Sequence, residues 1–242
     1  MTERLKNTIL CTLMFSRSRL IALVIIEAII TTVMIYWKKV FDGMPIFFPG
    51  DLLIGIFMFT YGITFFERHT PFCIANAVSE KYRAISQAAV TGGIFLVTAA
   101  YGCIFGRVVT DSYVFSLADA LRIWVCGAFP REGFLPLVII ENTALYAFIF
   151  SAGYFFGAVK YVKSGGFALG VTAAAAALLW GIAAIGHFTW INPLAWLIGA
   201  IPAVMLKNGF TAFILYAAAA LGILRLSYGL SFSVRTGKME VK

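Results

Sequence analysis

Of the 242 residues, 61% are hydrophobic and only 12% are charged, with a mean hydropathy of +0.91. A soluble domain carries about a quarter charged residues, so water cannot cover this chain, and its composition places it in a membrane. The net charge of +8 is not a nucleic-acid signature, because the basic residues stand at the ends of apolar runs, where membrane orientation and anionic headgroups favour them.

Residues 1–19 are basic, with Arg4, Lys6, Arg17 and Arg19, and they put Leu5, Ile9, Leu10, Leu13 and Met14 on one helical face. That pattern predicts an amphipathic helix lying in the membrane interface before the first span. The first span is expected over 20–37, closed by Lys38 and Lys39, and it is too long to be a cleaved leader. A second span has its core at 52–66, a third runs over 84–105, and a mixed loop fills 107–134. A fourth span follows at 135–161, an alanine-rich fifth at 166–187 and a sixth at 209–226. The apolar segment 189–208 is broken by Pro193 and Pro202, so it is not one straight span. The expected fold is therefore all-α and polytopic, with six transmembrane helices in a single domain over 1–242. Thirteen of the 19 Lys and Arg residues fall on the side of the N-terminus in this arrangement, which predicts that both chain ends are cytoplasmic.

Segment 70–83 is one of the few charged stretches with helical character. Thr70 suits an N-cap and Pro71 the first helical position, where a missing N–H costs nothing. A short cytoplasmic helix is expected, with apolar Phe72, Ile74 and Val78 and polar Asn76, Ser79, Glu80, Lys81 and Arg83. An ordered polar helix between two spans implies a partner that docks on it.

Signs of catalysis are sparse. His69 and His187 fall at opposite membrane faces, too far apart to share a metal, and Cys11, Cys73, Cys103 and Cys126 show no CxxC spacing. The sequence contains no HExxH, GxSxG or GxxxxGK[ST], so a membrane enzyme is the weaker expectation and ATP hydrolysis by this chain alone is not expected. Glu27 and Glu141 lie inside expected spans, where a charge costs ~2.5–3.5 kcal/mol on insertion scales. They mark either a translocation path or a hydrogen bond between helices, with Thr31, Asn142 or Ser151 as partners. Gly166 and Gly170, followed by alanines 173–177, form a small-residue face for close packing against another helix or a second copy of the chain. The 23 phenylalanines would line an apolar cavity or face lipid.

Two stretches resemble one family. The run Ile191-Asn-Pro-Leu-Ala-Trp-Leu-Ile-Gly-Ala-Ile-Pro202 is similar to the Asn-Pro-Leu-x-aromatic-Leu segment of ABC-2 type transporter permeases, and Asn76-Ala-Val-Ser-Glu-Lys-Tyr-Arg83 resembles their cytoplasmic segment between spans two and three. The resemblance implies a type V exporter architecture. Asn192, Pro193 and Pro202 would lie in an extracytoplasmic re-entrant segment, and 70–83 would be the coupling helix. It also implies two copies of a separate ABC ATPase binding ATP and magnesium, a homodimer or a related permease as membrane partner, and a plasma-membrane location. A peptide, toxin or drug exporter of the phenol-soluble-modulin type is the nearest comparison. A proton-coupled secondary transporter using Glu27 or Glu141 is the main alternative, although the paired inverted repeats common in that class are not seen. A substrate-capture subunit of a vitamin importer leaves the Asn192–Pro193 motif unexplained.

Overall fold

The computed structural model describes residues 3–40, 50–110, 118, 135–162, 170–171 and 209–237. These form five long helices: α1 (Glu3–Val40), α2 (Gly50–Ala75), α3 (Glu80–Thr110), α4 (Leu135–Val162) and α5 (Gly209–Gly237). Four of them, α1, α3, α4 and α5, contain stretches long and apolar enough to cross a membrane. The apolar part of α2 is shorter, because Glu67, Arg68 and His69 follow Phe66. An all-helical fold, with four helices that could span a membrane, is thereby borne out. The expected fifth span and the 189–208 segment, with Asn192, Pro193 and Pro202, lie outside the described residues.

The amphipathic start and the first span are not two helices. α1 continues without a break from Glu3 to Val40. The reason is local, since no glycine or proline occurs in that stretch to stop a helix where water gives way to lipid. Thr8, Thr12, Ser16 and Thr32 each donate their hydroxyl to the carbonyl four residues back, which satisfies these polar groups within the helix. Its 38 residues span ~57 Å at 1.5 Å per residue, nearly twice the ~30 Å hydrocarbon core, so one end projects beyond it.

Helix α4 is the hub. It packs most extensively on α2 and α5 and also meets α3, while α1 lies over α2 and α3. Glycine makes the α2–α4 contact possible. A Cβ on Gly62 would press on the Phe150 carbonyl and stand 2.7 Å from the Tyr154 amide nitrogen. One on Gly153 would collide with the Phe59 carbonyl oxygen, and one on Gly157 would sit 3.0 Å from the Ile63 carbonyl oxygen. The Gly153-x-x-x-Gly157 spacing therefore brings two backbones together, as small residues do between membrane helices. Around this crossing the rings of Tyr61, Phe65, Phe66, Phe150 and Tyr154 interlock, with centroids 5.0–6.4 Å apart. Such edge and tilted pairs add about 0.5–1.5 kcal/mol each beyond their buried area. On the far side of α1, Ile21, Val24, Ile25 and Ile29 are each more than half exposed, a face suited to hydrocarbon rather than water.

Candidate functional site

Segment 70–83 does not form a helix of its own. α2 runs through Thr70 and Pro71 to Ala75, a tight turn follows, and α3 starts at Glu80. Pro71 leaves the Glu67 carbonyl without its helical donor, yet tertiary contacts of His69, Thr70 and Cys73, all buried, keep the helix going. Thr70 is thus no cap. Its hydroxyl is 2.9 Å from the Tyr154 hydroxyl, deep between α2 and α4.

The turn closes α2 in a Schellman pattern. The Val78 amide donates to the Cys73 carbonyl at 2.9 Å and the Ala77 amide to the Ile74 carbonyl at 3.1 Å. Asn76 donates its side-chain amide to the Phe72 carbonyl at 2.8 Å. Ala77 occupies the left-handed position, with φ 50°, where glycine is the usual residue. Ala77→Gly is expected to raise stability by about 0.5–1 kcal/mol, read as a higher melting temperature in detergent. A lower one would show that Ala77 is not held in that conformation. The cap of α3 is Ser79, whose oxygen accepts from the Tyr82 amide at 3.4 Å, while Glu80 adds a negative charge to the first turn, where the helix dipole favours it. Ser79, Glu80 and Lys81 are exposed, and Arg83 is buried.

A buried polar girdle joins this turn to every other helix. The His69 ring approaches Thr12 at 2.9 Å from Nε2. Because the Thr12 hydroxyl already donates to the Thr8 carbonyl, His69 Nε2 is the donor. By the same logic Tyr61 donates to Ser16 at 2.7 Å, since Ser16 donates to the Thr12 carbonyl. Tyr154 meets Tyr228 edge to face at 6.1 Å, the Tyr228 hydroxyl donates to Gln87 Oε1 at 2.9 Å, and the Arg83 guanidinium lies 4.8 Å from the Tyr228 ring centroid. That last contact contributes about 0.5–2 kcal/mol. Lys160 of α4 closes on Glu67 of α2 at 2.6 Å on the rim.

His69 lies beyond the apolar part of α2. Burial, with the charge of Arg83 adding to it, pushes its imidazole down to about 4 from an ordinary value of 6.5. The unfolded chain then binds the extra proton more readily, so stability should fall as pH drops from about 6.5 towards 4. Melts across that window check this, and a flat profile would contradict it.

Beside the girdle, α3, α4 and α5 line an open cavity of about 1040 Å³. Phe95, Phe150, Phe213 and Leu224 give it an apolar wall, with Glu80, Arg225 and Tyr228 at the turn end. The hydroxyls of Thr91, Thr143 and Ser151 also line it, but each donates to its own helix backbone, so the interior is largely apolar. Among the described residues α3 and α5 do not pack along their lengths. Tyr228, held by Gln87 and Arg83, is the bridge between them. A cavity this large suits a drug-sized or larger apolar body.

The structure thus brings Glu80 to the turn end of the cavity, and Thr70 and Arg83 to the girdle beside it. Pro71, Asn76, Ser79 and Lys81 remain on or beside the turn. Glu27 and Glu141 lie on different helices and are not among the residues lining the cavity. Glu27 is half-buried on α1, while Glu141 is buried on α4 facing the start of α5, where a Cβ on Gly209 would stand 2.9 Å from its Oε2. Tyr154, Tyr228, Gln87 and His69 are the residues that sequence reasoning passed over as functional. Comparison with protein-family models, curated proteins and solved structures finds no match to this chain.

Proposed function

We propose that this chain is the membrane subunit of an ATP-driven exporter of the ABC-2 type. It would have six spans and cytoplasmic ends, sit in the plasma membrane, and carry an amphipathic peptide, toxin or drug. The cavity of about 1040 Å³ between α3, α4 and α5, bridged at its turn end by Tyr228, is the observation that carries this reading. Two separately encoded ATPase subunits bind ATP and magnesium and dock on the exposed turn at Asn76, Ser79, Glu80 and Lys81. Their closure shifts the start of α3, and Arg83 and Gln87 pass that movement to Tyr228 and α5. The cavity then changes access by a shift between two packed arrangements of α3 and α5. A second copy of the chain, or a related permease, completes the pathway.

The test is to fill the cavity without touching the core. Ala88 and Ala217 line it and are not fully buried. Ala88→Trp and Ala217→Trp are expected to abolish export of fluorophore-labelled amphipathic peptides while leaving the melting temperature close to that of the parent. Full export by both would remove the cavity from the pathway. Glu27→Gln and Glu141→Gln, off the cavity wall, are expected to retain ATP-driven export. Loss of transport in either variant, with folding intact, would favour the proton-coupled alternative.

A further inference from the structure

A second, much smaller opening lies where α1 crosses α2, walled by Phe15 and Arg19 of α1 and by Tyr61, Thr64, Phe65 and Arg68 of α2. Two arginines, one from each helix, line it. Among the described residues neither Arg19 nor Arg68 forms an ion pair, and the neighbouring acid, Glu67, is engaged by Lys160 of α4. The remaining polar groups in the wall are already committed. Thr64 donates to the carbonyls of Thr60 and Tyr61, and the Tyr61 hydroxyl donates to Ser16. The opening therefore lies beside two cations that form no ion pair among the described residues, and an acceptor-rich anion is the ligand that complements them.

Its size and place narrow the choice. At about 10 Å³ it admits a single oxygen-sized atom, so only one oxygen of a phosphate would enter and the rest of the ligand would stay outside. Arg19 stands just before the apolar run of α1 and Arg68 just after that of α2, which puts both at the membrane boundary. From that level the exposed apolar face of α1 runs on through Ile21, Val24, Ile25 and Ile29, offering acyl chains a path. We infer that the α1–α2 crossing is a binding site for an anionic phospholipid, with its phosphate held between Arg19 and Arg68 and its chains along α1. Basic pockets between membrane helices recognise such headgroups through the same charge pairing.

The purified full chain in neutral detergent is titrated with short-chain phosphatidylglycerol, phosphatidylcholine of equal chain length and inorganic phosphate, with binding followed by native mass spectrometry. Phosphatidylglycerol is expected to bind in preference to phosphatidylcholine. Arg19→Gln/Arg68→Gln should weaken it at least about tenfold. Arg4→Gln/Lys6→Gln removes the same charge away from the opening and should leave binding unchanged. Should the first pair fail to fold, Arg19→Lys/Arg68→Lys keeps the charge but loses the forked geometry, and should still weaken binding several-fold. Equal binding by all variants, equal loss in the Arg4/Lys6 pair, or competition by inorganic phosphate at equal concentration would overturn the assignment.

Discussion

Gly153→Ala is expected to disrupt the bundle, because its new methyl group would meet the Phe59 backbone rather than a movable side chain. Overpacking a core usually costs about 1–3 kcal/mol, and a backbone obstacle puts this change at or above the top of that range, since α2 and α4 must separate to admit it. Gly62→Ala should behave alike, given the Phe150 carbonyl and Tyr154 amide beside it. Gly93→Ala and Gly102→Ala are the controls. Among the described residues nothing lies within 4 Å of a Cβ at either position, and both sit inside α3, so they should be neutral or stabilise by up to about 1 kcal/mol. Melting temperatures of the four variants in one detergent would separate the two classes. Equal loss at all four glycines would mean that flexibility, not close approach, is what glycine supplies at the α2–α4 crossing.

Removal of the Tyr154 side chain should be comparably severe. This fully buried ring touches Phe65, Phe66, Phe150 and Tyr228, and its hydroxyl meets Thr70. Tyr154→Ala is expected to cost about 3–5 kcal/mol, as buried aromatic truncations do. Two smaller changes isolate the hydroxyl. Thr70→Val strands a buried phenol and should cost about 1–3 kcal/mol, whereas Thr70→Val/Tyr154→Phe removes both partners and should cost less than the sum of the two single changes. Strict additivity would show that the 2.9 Å contact contributes nothing to the fold. If the girdle carries motion as proposed, Tyr228→Ala should also uncouple ATP hydrolysis from export at nearly unchanged hydrolysis rate, because it cuts the bridge between α3 and α5.

Much of the scaffold was legible in the sequence because hydropathy and chain length alone decide it. The runs that became α3, α4 and α5 are long, apolar and bounded by polar residues. The uninterrupted α1 was legible too, in the absence of glycine and proline from Glu3 to Val40, but its early amphipathic pattern suggested a boundary that backbone hydrogen bonding ignores. The Gly166 and Gly170 spacing lies mostly outside the described residues, while the same spacing at Gly153 and Gly157 marks a close backbone contact. The spacing itself is the signal that a sequence offers for such a contact.

The turn shows where local rules lose to tertiary ones. Thr70 and Pro71 have the chemistry of a helix start, but Thr70 is claimed by Tyr154, 84 residues away, and the cap falls to Ser79. Tyr154 and Tyr228 gave no warning of their importance, because one tyrosine in a chain with 16% aromatic residues is unremarkable. What singles out Tyr228 is its contact with Gln87, 141 residues away, and no period or spacing encodes that.

Export itself is the most direct test of the proposed function. Inverted membrane vesicles containing the chain and the ATPase proposed for it would be supplied externally with a fluorophore-labelled amphipathic peptide, and uptake followed with ATP, with a non-hydrolysable analogue, and with a protonophore. Uptake that requires ATP hydrolysis, survives the protonophore and vanishes in Ala217→Trp is the predicted result. Uptake that proceeds without ATP and collapses with the protonophore would contradict an ATP-driven exporter and assign the transport to a proton-coupled carrier.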